Sequence, residues 1–264
     1  MLIAQLSDLH LLPGGAPWRG KIDTAGMAAA AIARINALPQ QPDAVVLSGD
    51  LADQGSAETY ATLRKILHSL SAPVFLMPGN HDERASLRAE FPQQNFTGAD
   101  LCCQRVELAA GDLLLLDSAV AWRSHGKIDD AQIDWLDTHC RPMVPSLLFL
   151  HHPPFATGIG GMDGIGLHHS ARLAEWLRPR NNIAGLFCGH VHRPVFTQWA
   201  GRPVAIAPST AHQMALDLDG PSEGLRYTLE PPAMLLIRWR PGIDEAPVTH
   251  VLPIVPTPAI DYDS

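Results

Sequence analysis

Short, nearly unbroken apolar runs alternate with amphipathic stretches along most of this chain. Residues 2–7, 43–48, 73–77, 146–150 and 183–188 have the length and composition of strands. Between them, the Ala-rich stretch 23–38 predicts a helix. So does 57–70, where Leu63, Ile66, Leu67 and Leu70 recur at helical spacing. A short helix is expected over 82–90, another over 170–178, and a third over 130–140, where Asp129 and Gln132 have the spacing of a capping box. The strand–helix rhythm breaks at 101–117, which reads as a hairpin with Gly111-Asp112 at its turn. From residue 194 onward the pattern is mostly β, around turns at Ala200-Gly201 and near Pro231-Pro232. This order fits an α/β protein in which two mixed sheets pack face to face with helices outside. No internal repeat or low-complexity linker divides it, so 1–264 reads as a single domain. Its β-rich part, 194–264, would complete the second sheet or serve a subunit contact, Leu235, Leu236, Ile237 and Trp239 being candidates.

The polar residues that end these apolar runs carry the chemistry. The segments LIAQLSDLH, AVVLSGD, VFLMPGNHD, LLFLHHPP and IAGLFCGHVH place Asp8 and His10, Asp50, Asn80, His151, and His190 and His192 at successive strand ends. In an α/β sheet the carboxyl ends of strands converge on one edge, where ligand sites form. A single histidine at a strand end is commonly a hydrogen-bonded loop residue, but packing does not explain five endings of this kind. Carboxylate, imidazole and amide oxygen without thiolate form a donor set for Mn, Fe, Zn or Co rather than for an iron–sulfur cluster. Seven side chains exceed the needs of one tetrahedral zinc. If Asp50 bridges, they divide into two sites of four. Two such metals clamp the attacking and leaving oxygens of a phosphoryl transfer, and a water on them ionises near neutral pH.

The motif series resembles that of the calcineurin-like metallophosphoesterases. It reads Asp8-Leu9-His10, Gly49-Asp50, Gly79-Asn80-His81-Asp82, His151, and Gly189-His190-Val191-His192. Within that family the likeness is to class III cyclic nucleotide phosphodiesterases and bacterial glycerophosphodiesterases. The early start, the phrase HHPP and the STAHQ stretch at 209–213 carry it. The resemblance implies a four-layer αββα sandwich. It also implies one metal on Asp8, His10, Asp50 and His192, and a second on Asp50, Asn80, His151 and His190. His81 would lie over the metals, binding a phosphate oxygen or protonating the leaving alkoxide. The Asn80 amide would face the phosphate, and Asp82 would orient His81 or a ligand histidine.

Departures from neighbouring subgroups narrow the expectation. The stretch after Gly49-Asp50 has no Arg, and the third motif ends in Asp82 rather than Glu, which disfavours a protein phosphatase. With little cationic help beside the metals, a singly charged diester is easier to handle than a dianionic monoester, although Arg19 or Arg193 could fold into the site. His152 would point away from the ligand face if its strand continues. His168 and His169 open a helix as surface or cap residues. His68, His125, His139 and His250 lack any site context, whereas His212 is a candidate pocket residue. The glycine-rich loops 11–22 and 155–168 flank the ligands and are placed to shape the pocket. Trp18 or Phe155 in them would either stack on a nucleobase or pack at the surface.

Composition sets outer bounds. Apolar residues at 46% against 17% charged exclude disorder. A net charge of −8 without a basic run argues against an extended nucleic-acid footprint. Four cysteines without C-x-x-C spacing read as reduced thiols, and Cys102-Cys103 would bridge only with strain. No signal peptide or membrane span is visible, so a cytoplasmic location is expected. The expected activity is hydrolysis of a small phosphodiester, of the 3′,5′-cyclic AMP class or a glycerophosphodiester, by in-line attack of a metal-bound hydroxide with His81 assisting. A phosphomonoesterase or nucleotide pyrophosphatase on the same metals is the alternative. A non-catalytic binding protein on this fold would be marked by broken ligands, and none of the seven is missing. A homo-oligomer is a further possibility that the resemblance raises.

Overall fold

A computed structural model describes residues 1–98, 100–218, 220, 224–242, 244, 246–258 and 260–261. In chain order the strands are β1 (Leu2–Leu6), β2 (Ala44–Ser48), β3 (Val74–Met77), β4 (Gln104–Leu108), β5 (Gly111–Leu116), β6 (Gly126–Lys127), β7 (Ser146–Leu150) and β8 (Leu167–His168). They continue as β9 (Ile183–Cys188), β10 (Val195–Trp199), β11 (Arg202–Ile206), β12 (Gln213–Met214), β13 (Tyr227–Thr228), β14 (Ala233–Arg238) and β15 (Val248–Pro253). The helices are α1 (Thr24–Asn36), α2 (Ala57–Leu67), α3 (Arg84–Glu90), α4 (Asp130–His139), α5 (Gly160–Asp163) and α6 (Ser170–Leu177).

The larger strands form two mixed sheets, ordered β15-β14-β1-β2-β3 and β10-β11-β9-β7-β5-β4. Within each, a parallel centre (β1-β2-β3; β11-β9-β7-β5) is flanked by antiparallel strands. Three apolar clusters define the layers. Ile3, Val46, Met77, Leu235 and Ile237 of one sheet pack against Leu113, Leu147, Phe149 and Phe187 of the other. On the outer face of the first sheet, Leu6, Val45 and Leu47 meet Ile32, Ile35, Leu63 and Leu87 of α1, α2 and α3. On the outer face of the second, Leu114, Leu148 and Leu186 meet Trp135, Leu136, Leu173 and Leu177 of α4 and α6. Parallel strands buried on both faces need continuous apolar runs, which is why these four- to six-residue segments carry so few polar positions. The fold is the four-layer α/β sandwich that the hydrophobic pattern predicts.

Several elements differ from that prediction in informative ways. The 101–117 hairpin turns at Ala109-Ala110, since Leu108 pairs with Gly111. Gly111 already lies in β5, where a Cβ would collide with the Pro145 carbonyl. Asp112 is buried, holding the Arg141 guanidinium at 2.6 and 2.9 Å. Helix α3 begins two residues later than expected because its cap is Glu83, whose carboxylate accepts from the amides of Ala85 and Ser86. The capping box of α4 forms as its spacing predicts, Asp129 with Gln132.

The C-terminal strands divide between the layers. Strands β10 and β11 extend the second sheet, while β14 and β15 join the first beside β1, which places Leu235, Leu236 and Ile237 there. Residues 219, 221–223, 243, 245, 259 and 262–264 of that stretch lie outside the described residues. All four cysteines are free thiols and buried. Among the described residues no helix is long and apolar enough to cross a membrane.

Candidate metal centre and active site

The carboxyl ends of β1, β2 and β3 meet those of β7 and β9 at one edge of the sandwich, and all seven candidate ligands lie in the loops that follow. Side-chain bonds within the first sheet and between the two sheets hold this edge together. The Gln5 amide donates to Ser48 Oγ at 2.8 Å and to the Cys188 carbonyl at 2.9 Å, and the His190 amide donates to the Asp8 carboxylate at 3.1 Å. The loops are also tied to each other, Asp8 N–H to the Gly49 carbonyl and His10 N–H to the Asp50 carbonyl, both at 3.0 Å.

The backbone there is strained. Nine described non-glycine residues have positive φ, and five are candidate ligands: Asp8 (55°), His10 (46°), Asp50 (49°), His190 (71°) and His192 (53°). Each left-handed L-residue costs on the order of 1–2 kcal/mol, and such conformations gather where the surroundings over-determine them for function. Gly79 is needed for a different reason. A Cβ there would run into the Asp50 carboxylate and the His151 ring.

The polar atoms converge closely. His10 Nε2 lies 3.0 Å from His192 Nε2 and 3.6 Å from Asp50 Oδ2, while His192 Nε2 lies 3.2 Å from Asp8 Oδ1. His151 Nε2 is 3.4 Å from Asp50 Oδ1 and 3.9 Å from Asp8 Oδ1. Asp8, His10, Asp50 and His192 each offer a ligand atom within 4.8 Å of the others, as do His151, His152 and His190.

The opposite ring nitrogens fix which atoms remain available. His151 Nδ1 donates to the Ser48 carbonyl (2.8 Å), His192 Nδ1 to the His212 carbonyl (3.0 Å), and His190 Nε2 to the Ile165 carbonyl (3.1 Å). A carbonyl only accepts, so each of these nitrogens carries a proton. The atoms left for a cation are His151 Nε2, His192 Nε2 and His190 Nδ1, His151 Nε2 on giving up the proton that Asp50 and Asp8 hold there. His10 Nδ1 meets the Asp53 carboxylate at 3.1 Å, freeing its Nε2. That is the arrangement by which outer groups orient metal-binding histidines. Two further observations fit a cation. Asn80 Oδ1 and His151 Nε2 are buried without a hydrogen-bond partner among the described residues, a costly state for a polar atom. Two buried carboxylates, Asp8 and Asp50, also lie in the same cluster and need positive charge.

The charges of the cluster are strongly coupled. Burial alone would raise the Asp8 carboxyl, yet the imidazoles of His192 and His151 hold it at about 2. The same opposition, with His151 as the main partner, keeps Asp50 well below the usual carboxylate range. His190 is pushed down to about 3 by burial and by His151, which leaves its ring neutral.

His81 sits over this cluster. Its amide donates to Asp50 Oδ1 at 2.9 Å, its Nδ1 lies 2.8 Å from the Asp53 carbonyl, and its ring meets that of His10 edge-on at 4.8 Å. Burial opposes its protonation, but the charges of Asp50, Asp53 and Asp82 and the bond to the Asp53 carbonyl together outweigh it and raise the pKa. The group that orients His81 is therefore Asp53, not Asp82 as expected. Asp82 instead accepts from the amides of Leu51, Ala52 and Gly79 and from the Tyr60 hydroxyl, binding two loops together. Asp53 also accepts from Trp18 Nε1 at 2.8 Å, so it links His10, His81 and Trp18. Its position three residues after Asp50 was the only sequence signal for it.

The remaining candidates separate. His152 is fully buried with Nδ1 on Ser118 Oγ (2.9 Å) and Nε2 on the Ser124 carbonyl (3.3 Å), so both ring nitrogens are occupied in packing. The ring of His212 stacks on Trp18 at 4.2 Å and lies 4.7 Å from His192. Both His212 and Trp18 line a cavity of about 240 Å³ over His10, Asp50, Asn80, His81, His190 and His192. Trp18 is thus buried rather than exposed, and Phe155 packs against the core on the α4–α6 side. Arg19 lines the same cavity, lying over the Trp18 ring, whereas Arg193 is held by Glu230 and the Met214 carbonyl. His168 and His169 are exposed, and His169 is the N-cap of α6.

Comparison with known proteins agrees with this geometry. The family model described as calcineurin-like phosphoesterase matches residues 1–194. The glycerophosphodiester phosphodiesterase of Enterobacter lignolyticus is 33% identical over 250 residues, covering 90% of this chain and 87% of that protein. The 3′,5′-cyclic adenosine monophosphate phosphodiesterase of Pseudomonas aeruginosa is 32% identical over 223 residues, 81% and 78% of the two chains. Among solved structures, a dimetal phosphatase from Danio rerio superposes with a TM-score of 0.62 over 97% of this chain and 96% of its own, a likeness of fold at 13% identity. The chain belongs to the calcineurin-like phosphoesterase family. It is a hydrolytic enzyme, a metallophosphoesterase whose relatives are named as phosphodiesterases.

Proposed function

We propose that this protein hydrolyses small phosphodiesters at a two-metal centre. One ion would be held by Asp8, His10, Asp50 and His192 and the other by Asp50, Asn80, His151 and His190. The observation that carries the reading is the orientation of the imidazoles: four histidines each have one ring nitrogen engaged by a carbonyl or carboxylate outside the cluster, which leaves the other for a cation beside two buried carboxylates. Bound Mn, Fe, Zn or Co would supply Lewis acidity to activate a water and offset charge on the phosphoryl oxygens.

The chain's own groups do the rest. Asn80 lines the cavity, and with its side-chain oxygen committed to the centre its NH₂ would be left to donate to a phosphoryl oxygen. His81, held by the Asp53 carbonyl and with its pKa raised by the surrounding carboxylates, presents Nε2 as the acid for the departing alkoxide. His212 and Trp18 wall the cavity and exclude water beside them. Relatives named for glycerophosphodiesters and for cyclic AMP both favour a diester, and these are the two substrate classes proposed. The division of the C-terminal strands between both sheets supports reading 1–264 as one domain.

The test is hydrolysis of bis(p-nitrophenyl) phosphate against p-nitrophenyl phosphate by metal-stripped protein, with and without Mn²⁺. Metal-dependent preference for the diester is expected. Preference for the monoester would move the assignment to a phosphatase.

A further inference from the structure

A second hollow of about 500 Å³ opens on the other side of His81. It shares Asp53, Asn80 and His81 with the cavity over the metal-ligand cluster, so the two spaces flank one reacting position. Its charged neighbours are internally paired. The Arg84 guanidinium forks onto the buried Asp117 at 2.6 and 2.9 Å and reaches the Ala119 carbonyl at 2.7 Å. Glu83 is spent on the amides of Ala85 and Ser86. What the hollow offers a ligand is therefore uncharged: Gln54 and Ser56 on one part of the lining and the wall of Val120, Ala121 and Trp122 on another.

Trp122 is the unusual member. It is 91% exposed and has a left-handed backbone (φ 62°) at the tip of a tight turn closed by the Arg123 amide on the Val120 carbonyl. A bulky residue in that conformation is a genuine outlier, and strain of this kind gathers at ligand-binding positions. The loop bearing it is anchored at both ends, because Ser118 Oγ and the Ser124 carbonyl both hold His152, beside His151. Ser124 itself lines the smaller cavity, so the position of Trp122 is tied to the site.

We propose that this hollow is a substituent subsite, in which Trp122 stacks on a planar, uncharged aromatic arm of the diester, a nucleobase included. The proposal rests on the phosphodiesterase reading above. In an open-chain diester the smaller cavity takes one arm and the Trp122 hollow the other, with phosphorus between them near His81; in a cyclic nucleotide, whose two ester oxygens share one sugar, the base alone would enter the hollow. An aliphatic polyol arm gains little from an indole face, so selection should favour aromatic substrates.

The test compares kcat/KM for bis(p-nitrophenyl) phosphate and for glycerophosphoethanolamine in the Mn²⁺-loaded wild type, Trp122→Ala and Trp122→Phe. Stacking one ring on an aromatic side chain is worth about a tenfold change. Trp122→Ala is expected to lower the aromatic-to-aliphatic ratio about tenfold through KM, and Trp122→Phe to restore most of it. An unchanged ratio in Trp122→Ala, with both substrates still hydrolysed, would overturn the subsite and leave the diesterase reading standing. A wild type inactive on both diesters would overturn both.

Discussion

Along β2, Val45, Val46 and Leu47 are fully buried in regular strand, and three residues beyond Leu47 the chain reaches Asp50, buried almost as completely. The two positions obey opposite rules. The strand residues contribute apolar area to cores that pack sheet on sheet and helix on sheet, without polar atoms to satisfy. Asp50 brings a carboxylate into the same interior on left-handed backbone, among imidazoles and a second buried carboxylate. Strand interiors hold the edge in place, and the edge accumulates charge, strain and unpartnered polar atoms that a folded core would otherwise reject. The difference teaches that the rigidity of the sandwich serves to keep an unfavourable constellation assembled.

If that division is correct, damage to the two regions separates cleanly. Phe149, between the sheets and stacked on Phe187 at 5.1 Å, belongs wholly to the interior. Phe149→Ala should cost about 3–5 kcal/mol of stability. Denaturant melts would read that loss, while metal content per folded molecule stays as in wild type; a fall in metal content would show that the regions are not independent. His81→Ala should do the reverse, lowering kcat on a diester on the order of 10²-fold with no change in bound metal or in melting. The smallest effect is expected at Asp53, which orients His10 without belonging to the ligand set. Asp53→Asn should weaken metal affinity by roughly 10–100-fold, read by competition with a chelating dye. An unchanged affinity would reduce Asp53 to a tether for Trp18.

The metal-ligand candidates were legible because strand ends announce themselves: an apolar run stops, and an Asp, Asn or His stands there. The layers were legible for the same reason, since strands buried on both faces admit few polar residues. What could not be read was whatever the backbone supplies. The carbonyls of Ser48, Ile165 and His212 select the histidine tautomers, and a carbonyl is present at every residue. Asp82 misled because its carboxylate is consumed by loop amides rather than by a histidine. Gly111-Asp112 misled because a close approach to Pro145 and a buried partner for Arg141 use the same two residue types as a turn. The division of β10–β11 and β14–β15 between two sheets depends on pairings distant in sequence, which apolar pattern alone does not encode.

The central claim is that Asp50 joins two metal sites, and calorimetric titration of the metal-stripped chain with Mn²⁺ tests it without reference to catalysis. Wild type should bind two ions per chain, His151→Ala one, and Asp50→Ala neither with comparable affinity. A single ion in wild type, or two ions retained by Asp50→Ala, would contradict the account.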